Sequence, residues 1–202
     1  MLPTLTPISD NTLWETMWAP YPDLYEEVLT HIGPEDVVLD IGAGDMRLAI
    51  PMAKLARHVY ALEIQSSLIE TALEKDLPPR LTILHEDART YPFPAGITTA
   101  VLLMRHCTHF RLYAEKLKAL GCQKLITNAR WHMGLEVIDL QAPRLLFDQV
   151  PFGWYTCWCG SAGYKPSPVE VLTEETFDNT HEVANCPNCS PSFVVRHESA
   201  AN

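Results

Sequence analysis

The sequence predicts an α/β fold, a mostly parallel sheet with helices on both faces, and three observations lead there. Short runs rich in β-branched and leucine residues alternate with amphipathic segments from residue 22 to residue 127. The runs are nearly continuous in apolar residues, the pattern of strands buried on both faces. A glycine loop, Gly42-Ala43-Gly44, joins one such run to a helical segment, as where a parallel strand turns into its crossover helix.

The elements follow in order. In YPDLYEEVLTHIG, Leu24, Val28 and Ile32 recur at helical spacing, Pro22 suits a first turn and Gly33 suits the C-terminal cap. The aromatic residues before it, Trp14, Trp18 and Tyr21, are read chiefly as core packing, with covering a ligand as the lesser alternative for some of them. VVLDI is the first strand, and MRLAIPMAKLA is helical apart from Pro51, which belongs in the first turns or at a kink because proline removes a hydrogen bond. HVYALEI is the second strand, and SSLIETALEKDL is a helix with Ser66 or Ser67 as its cap. LTILHED and TTAVLLM are the third and fourth strands, THFRLYAEKLKALG is a helix closed by Gly121, and KLITNA is the fifth strand.

After about residue 130 the rhythm breaks. GLEVIDL, FGWYTCWCG and VEVLTEE read as strands with few helices between them, expected to finish the sheet antiparallel and to carry a cysteine-bearing appendage. The reading gives a core at 1–150 and C-terminal strands at 151–202, both in one compact domain.

With 202 residues, 47% of them hydrophobic and 20% charged, the chain can bury one sizeable core. No apolar run is long enough to span a bilayer. The N-terminus lacks the basic start and apolar centre of a signal peptide, so a cytoplasmic, reducing setting is expected. A formal charge of −10 argues against a surface built to neutralise many phosphates, while leaving room for a local basic groove.

The glycine loop offers backbone N–H groups and a helix N-terminus to a nucleotide-like ligand. The dinucleotide fingerprint would need glycine where Arg47 stands and an apolar residue where Asp40 stands, which disfavours a nicotinamide-dependent oxidoreductase. Acid-x-Gly-x-Gly at the end of the first strand, with Glu63 ending the second and Asp87 following the third, resembles the class I S-adenosylmethionine-dependent methyltransferases over roughly residues 20–130. The resemblance implies a Rossmann-like fold and a cofactor site. Asp40, Gly42 and Gly44 would receive the methionine part, Glu63 the ribose hydroxyls, and Asp87 with the Ala88 backbone the adenine. Met46 departs from the glycine pattern: it is tolerated if its position needs no positive φ, and otherwise brings cofactor affinity into question.

Methyl transfer is an in-line displacement, so the protein supplies alignment and sometimes a base. His106 and His109, beyond the fourth strand, are the candidate bases near neutral pH. Arg105, Asn128, Arg130 and Trp131 are expected on the acceptor rim. No Asn/Asp-Pro-Pro-aromatic tetrad is present, and with the acidity this favours a small-molecule or protein acceptor over nucleic acid.

Cys157 and Cys159 in CWCG, with Cys186 and Cys189 in CPNC, form a zinc-ribbon-like pattern whose four thiolates would close a structural zinc site. A redox pair, two disulfides or an iron–sulfur cluster are the competing readings of the same residues. The chain is thus expected to be an S-adenosylmethionine-dependent methyltransferase with a structural zinc ion. The alternative is an inactive, methyltransferase-like interaction module that keeps the zinc.

Overall fold

The computed structural model describes residues 10–105, 107–131, 134–166, 173 and 179–190. The chain divides into two compact units, Met1–Gln141 and Ala142–Asn202.

In the first unit α1 (Asp10–Leu13) runs into a π-helical turn (Trp14–Trp18) and is followed by α2 (Pro22–Thr30). Strands β1 (Val37–Ile41), β2 (His58–Glu63), β3 (Leu81–His85), β4 (Thr99–Leu102) and β5 (Lys124–Thr127) then alternate with α3 (Ala49–Leu55), α4 (Ser66–Leu73) and α5 (Phe110–Ala119), and β6 (Glu136–Asp139) closes the sheet. The strand order is β3-β2-β1-β4-β5-β6, parallel except for β6, which runs antiparallel to β5.

The strands are nearly all apolar because both faces are covered. Val38, Val59, Ala61, Val101 and Ile126 are inaccessible and pack with Val28, Ala49, Met52 and Ala72 from the helices. At the amino ends of the strands, Asp36 accepts hydrogen bonds from Thr98 Oγ1 (2.9 Å), Thr99 Oγ1 (2.7 Å) and the Gly33 N–H (2.8 Å), and Lys124 Nζ lies 3.6 Å away. One carboxylate thereby ties β4, β5 and the approach to β1 together.

Pro51 occupies the first turn of α3, and Gly121 ends α5 with φ +77°, as expected. Two caps differ. α2 stops at Thr30, and the Gly33 N–H turns to the Asp36 carboxylate instead. Gln65 precedes α4 with no side-chain cap, because Ser66 already lies inside the first turn.

In the second unit, β7 (Gly153–Cys157) pairs antiparallel with β8 (Ala162–Lys165) and parallel with β9 (Thr180–Val183). The expectation that these C-terminal strands finish the main sheet antiparallel holds for β6 and not for β7, which lies in a separate three-stranded sheet with β8 and β9. The expected strand VEVLTEE lies, apart from Thr173, outside the described residues. Residues 142–150, read from sequence as part of the core, are tied to this unit: Leu145 bridges Val183, the Ala184 N–H donates to Leu145 O at 2.8 Å, and Lys165 Nζ donates to Phe147 O at 2.9 Å. Val150, Tyr155, Cys157, Val183 and Cys186 form its small core.

Candidate functional site

Strand order reverses on either side of β1, so the loops leaving β1 and β4 diverge and open a crevice at the carboxyl ends of the strands. A cavity of about 460 Å³ lies there, within the usual range for a small-molecule site. Asp40, Gly42, Glu63, Asp87 and Ala88 all border it.

The glycine loop is built tightly. Gly42 and Ala43 donate their N–H groups to Leu62 O at 2.8 and 3.1 Å, which binds the exit of β1 to β2. Gly42 has φ +76°, and a Cβ there would stand 3.2 Å from Met104 Sδ. Gly44 has φ +60° and lies beneath Trp14, where a Cβ would come within 2.2 Å of the indole. Both positions thus combine a left-handed backbone with a close approach.

Met46 also takes a positive φ, +65°, and its side chain is wholly buried in the apolar core. It does not occlude the cavity. The left-handed backbone costs about 1–2 kcal/mol, but losing a buried methionine costs more, about 2–5 kcal/mol when cut back to alanine. Met46→Gly is therefore expected to destabilise the protein by about 2 kcal/mol in a denaturant titration while leaving ligand affinity unchanged. A stabilised variant would show that strain at this position outweighs packing.

The three acids sit in different environments. Glu63, 4% exposed, accepts the Gly44 N–H on Oε2 (2.8 Å) and the Ile64 and Gln65 N–H groups on Oε1 (2.8 and 2.9 Å). Asp40 is equally buried, and its Oδ2 has no hydrogen-bond partner among the described residues. Burial first, and the neighbouring Glu63 carboxylate second, push its pKa up to about 7. Asp87 is held by the Arg89 side chain, with Nη2–Oδ2 at 2.6 Å and Nε at 2.9 Å from both oxygens, and by the Arg89 N–H. These bonds hold its pKa down to about 2.

Among the residues expected to carry chemistry, His109 borders the cavity at the start of α5, exposed, with Nδ1 3.1 Å from Thr108 Oγ1. His106 lies outside the described residues. Arg105 also borders the cavity, donates to Met17 O at 2.9 Å and stacks over Tyr21. Asn128, Arg130 and Trp131 are not on its rim. Asn128 is inaccessible, and Arg130 is 2% exposed. The reason for Arg130 is Glu136 on β6, which takes the guanidinium in a fork (2.9 and 2.6 Å) and so lets it turn inward over Phe110. Sequence reasoning missed Tyr25, Arg47, Cys107 and Tyr113 as cavity residues, and it gave Trp14 and Trp18, which border the cavity, ligand cover only as the lesser alternative. The one signal for part of this set was the density of aromatic residues between 14 and 25.

In the second unit the four cysteine sulfurs lie within 4.8 Å of one another, and none is in a disulfide. Cys157–Cys189, Cys159–Cys186 and Cys186–Cys189 Sγ separations are 3.7, 3.7 and 3.8 Å. Among the described residues no helix is long and apolar enough to cross a membrane.

Residues 38–121 match the family model described as a methyltransferase domain. Among curated proteins, the chain is similar to ribosomal RNA small subunit methyltransferase A of Desulfotalea psychrophila, 40% identical over 57 residues, 28% of this chain and 19% of that protein. It is also similar to an rRNA adenine N-6-methyltransferase of Clostridium perfringens, 35% identical over 60 residues, 29% of this chain and 24% of that one. The matches thus span about a fifth to a quarter of the length of these relatives. A solved structure of a precorrin 8W decarboxylase from Methanobacterium thermoautotrophicum superposes with a TM-score of 0.48 at 21% identity, covering 56% of this chain and 66% of that one. Residues 38–121 are similar in sequence to a methyltransferase domain, and the sheet that carries them has the class I methyltransferase fold.

Proposed function

We propose that this chain is an S-adenosylmethionine-dependent methyltransferase. The observation that carries the reading is that Asp40, Gly42, Glu63, Asp87 and Ala88, drawn from three successive strand ends, border a single cavity of suitable size. The residues fit the cofactor. Asp40 presents a buried oxygen with no hydrogen-bond partner among the described residues, and Gly42 of the glycine loop borders the cavity. Glu63 is fixed by three N–H groups and keeps one lone-pair site, on Oε2, for a ribose hydroxyl.

When bound, the cofactor would supply an activated methyl group. The chain's own part would be alignment: Glu63 and the β3 exit would hold the nucleoside end and the glycine loop the methionine end. His109 is the candidate base at the cavity wall. The relatives' names do not favour a small molecule over nucleic acid, so the preference drawn from acidity is withdrawn. An acceptor screen should begin with RNA oligonucleotides and extend to small molecules and proteins.

The four cysteines are proposed to hold one structural zinc ion. Tetrahedral sulfur ligands at the usual Zn–S distance of about 2.3 Å stand about 3.8 Å apart, which supports this assignment for the Sγ separations seen here.

Calorimetric titration with S-adenosylmethionine and S-adenosylhomocysteine tests the cofactor reading. Glu63→Gln is expected to weaken binding about 30-fold, since a buried charge-assisted contact is lost. Asp87→Asn should cost under tenfold, because Arg89 already occupies that carboxylate. A folded protein that takes up neither ligand would favour the interaction-module alternative.

A further inference from the structure

We propose that the Asp10–Trp18 segment is the closing wall of the cofactor site, with Trp14 the positioning residue that couples this wall to the glycine loop. The inference rests on the cofactor reading above and extends the site beyond residues 38–121, where the family match lies.

Five contacts carry it. Trp14 is 9% exposed, borders the cavity and lies directly on Gly44, whose own N–H is bonded to Glu63 at 2.8 Å. Arg47, just past the loop, stacks on the same indole at 4.6 Å. Its guanidinium also pairs with Glu15, next to Trp14, and with Asp45. Farther along the wall, Asn11 Nδ2 donates to Thr71 Oγ1 on α4 at 2.8 Å, and Arg105 from the loop after β4 donates to Met17 O at 2.9 Å. The segment is therefore fastened to Gly44 and Arg47 after β1, to Arg105 after β4 and to Thr71 on α4, and of these Arg47 and Arg105 border the cavity.

The fastenings differ in strength. The Trp14 contact is buried, whereas Glu15 keeps 56% of its side chain in solvent, so the Glu15–Arg47 pair opens at little cost. This makes the ion pair a latch: it slows ligand departure without fixing the wall shut. Ligand exchange proceeds by releasing Glu15 from Arg47 and swinging Trp14 off Gly44.

The test measures S-adenosylmethionine dissociation from the full-length protein by chasing bound labelled ligand with excess unlabelled ligand. Trp14→Ala is expected to raise the dissociation rate about tenfold or more, through loss of the indole's packing. Glu15→Gln should raise it about threefold with the fold intact, as befits an exposed pair. Added salt should raise the wild-type rate toward that of Glu15→Gln and leave the variant's rate flat. If Trp14→Ala fails to fold, Glu15→Gln and its salt response decide the matter. Wild-type protein that binds neither the cofactor nor its demethylated product would overturn the cofactor reading itself. Wild-type binding with unchanged dissociation in Glu15→Gln and no salt response would overturn the wall and leave that reading standing.

Discussion

Cys186→Ser is expected to abolish the cooperative unfolding transition of the Ala142–Asn202 unit and to reduce bound zinc from one ion per chain to well below one. Among the described residues the unit's apolar core holds little: Val150, Tyr155 and Val183 are its buried apolar side chains apart from two of the cysteines. A core of that size does not offset the conformational entropy of ordering its strands. Metal ligation in comparably small zinc modules contributes on the order of 10 kcal/mol, so the thiolates would dominate the unit's stability. Cys186 is central because its Sγ lies within 3.8 Å of two other sulfurs and is itself inaccessible. The check is metal content by mass spectrometry with a two-transition thermal melt, before and after chelation. Metal-free protein with an unaltered melt in the serine variant would dispose of the zinc assignment.

Asp40→Asn is expected to stabilise the ligand-free protein at pH 8 by about 2–4 kcal/mol while weakening S-adenosylmethionine binding. Its folded pKa of about 7 stands above the ordinary 3.8 because burial, and then Glu63, disfavour the charge. The folded state therefore holds a proton that the unfolded chain has lost between about pH 4 and pH 7. Stability falls as pH rises through that window and levels off above it. Asparagine removes the charge, so the variant's melting temperature should stay flat where the wild type's declines. Parallel declines in both proteins would show that Asp40 does not carry the effect. The prediction is a trade of stability for function, the pattern expected where a buried acid waits for a cationic ligand.

Much of the first unit was legible. β1 to β5 were readable because a strand covered on both faces has no polar side to confuse its apolar run, and all five lie within the predicted stretches. The three strand-end acids were readable for a related reason, as charges terminating apolar runs. What escaped the reading depended on distant partners. Arg130 looks like a rim residue until Glu136 is placed beside it, and only the antiparallel return of β6 does that. The Trp14–Trp18 turn has no 3.6-residue apolar rhythm, so ligand cover remained the lesser reading of its tryptophans. β9 was missed because Thr180–Val183 carries three polar residues and pairs with a strand far away in sequence. The clamp of Arg89 on Asp87 was two residues away and could have been weighed from sequence, since Asp side chains habitually bond groups two positions on.

The Asp36 junction has a mechanical implication. Stiffness in the sheet is concentrated at the amino ends of β1, β4 and β5, where a carboxylate shared among threonine hydroxyls, an amide and a lysine leaves no slack. The opposite ends, by contrast, terminate in loops around a cavity and in an oxygen of Asp40 with no hydrogen-bond partner among the described residues. Adjustment to a ligand therefore falls to the loops beyond those ends, while the strands, paired through Ile41–Leu62 and Leu102–Thr127, keep their register.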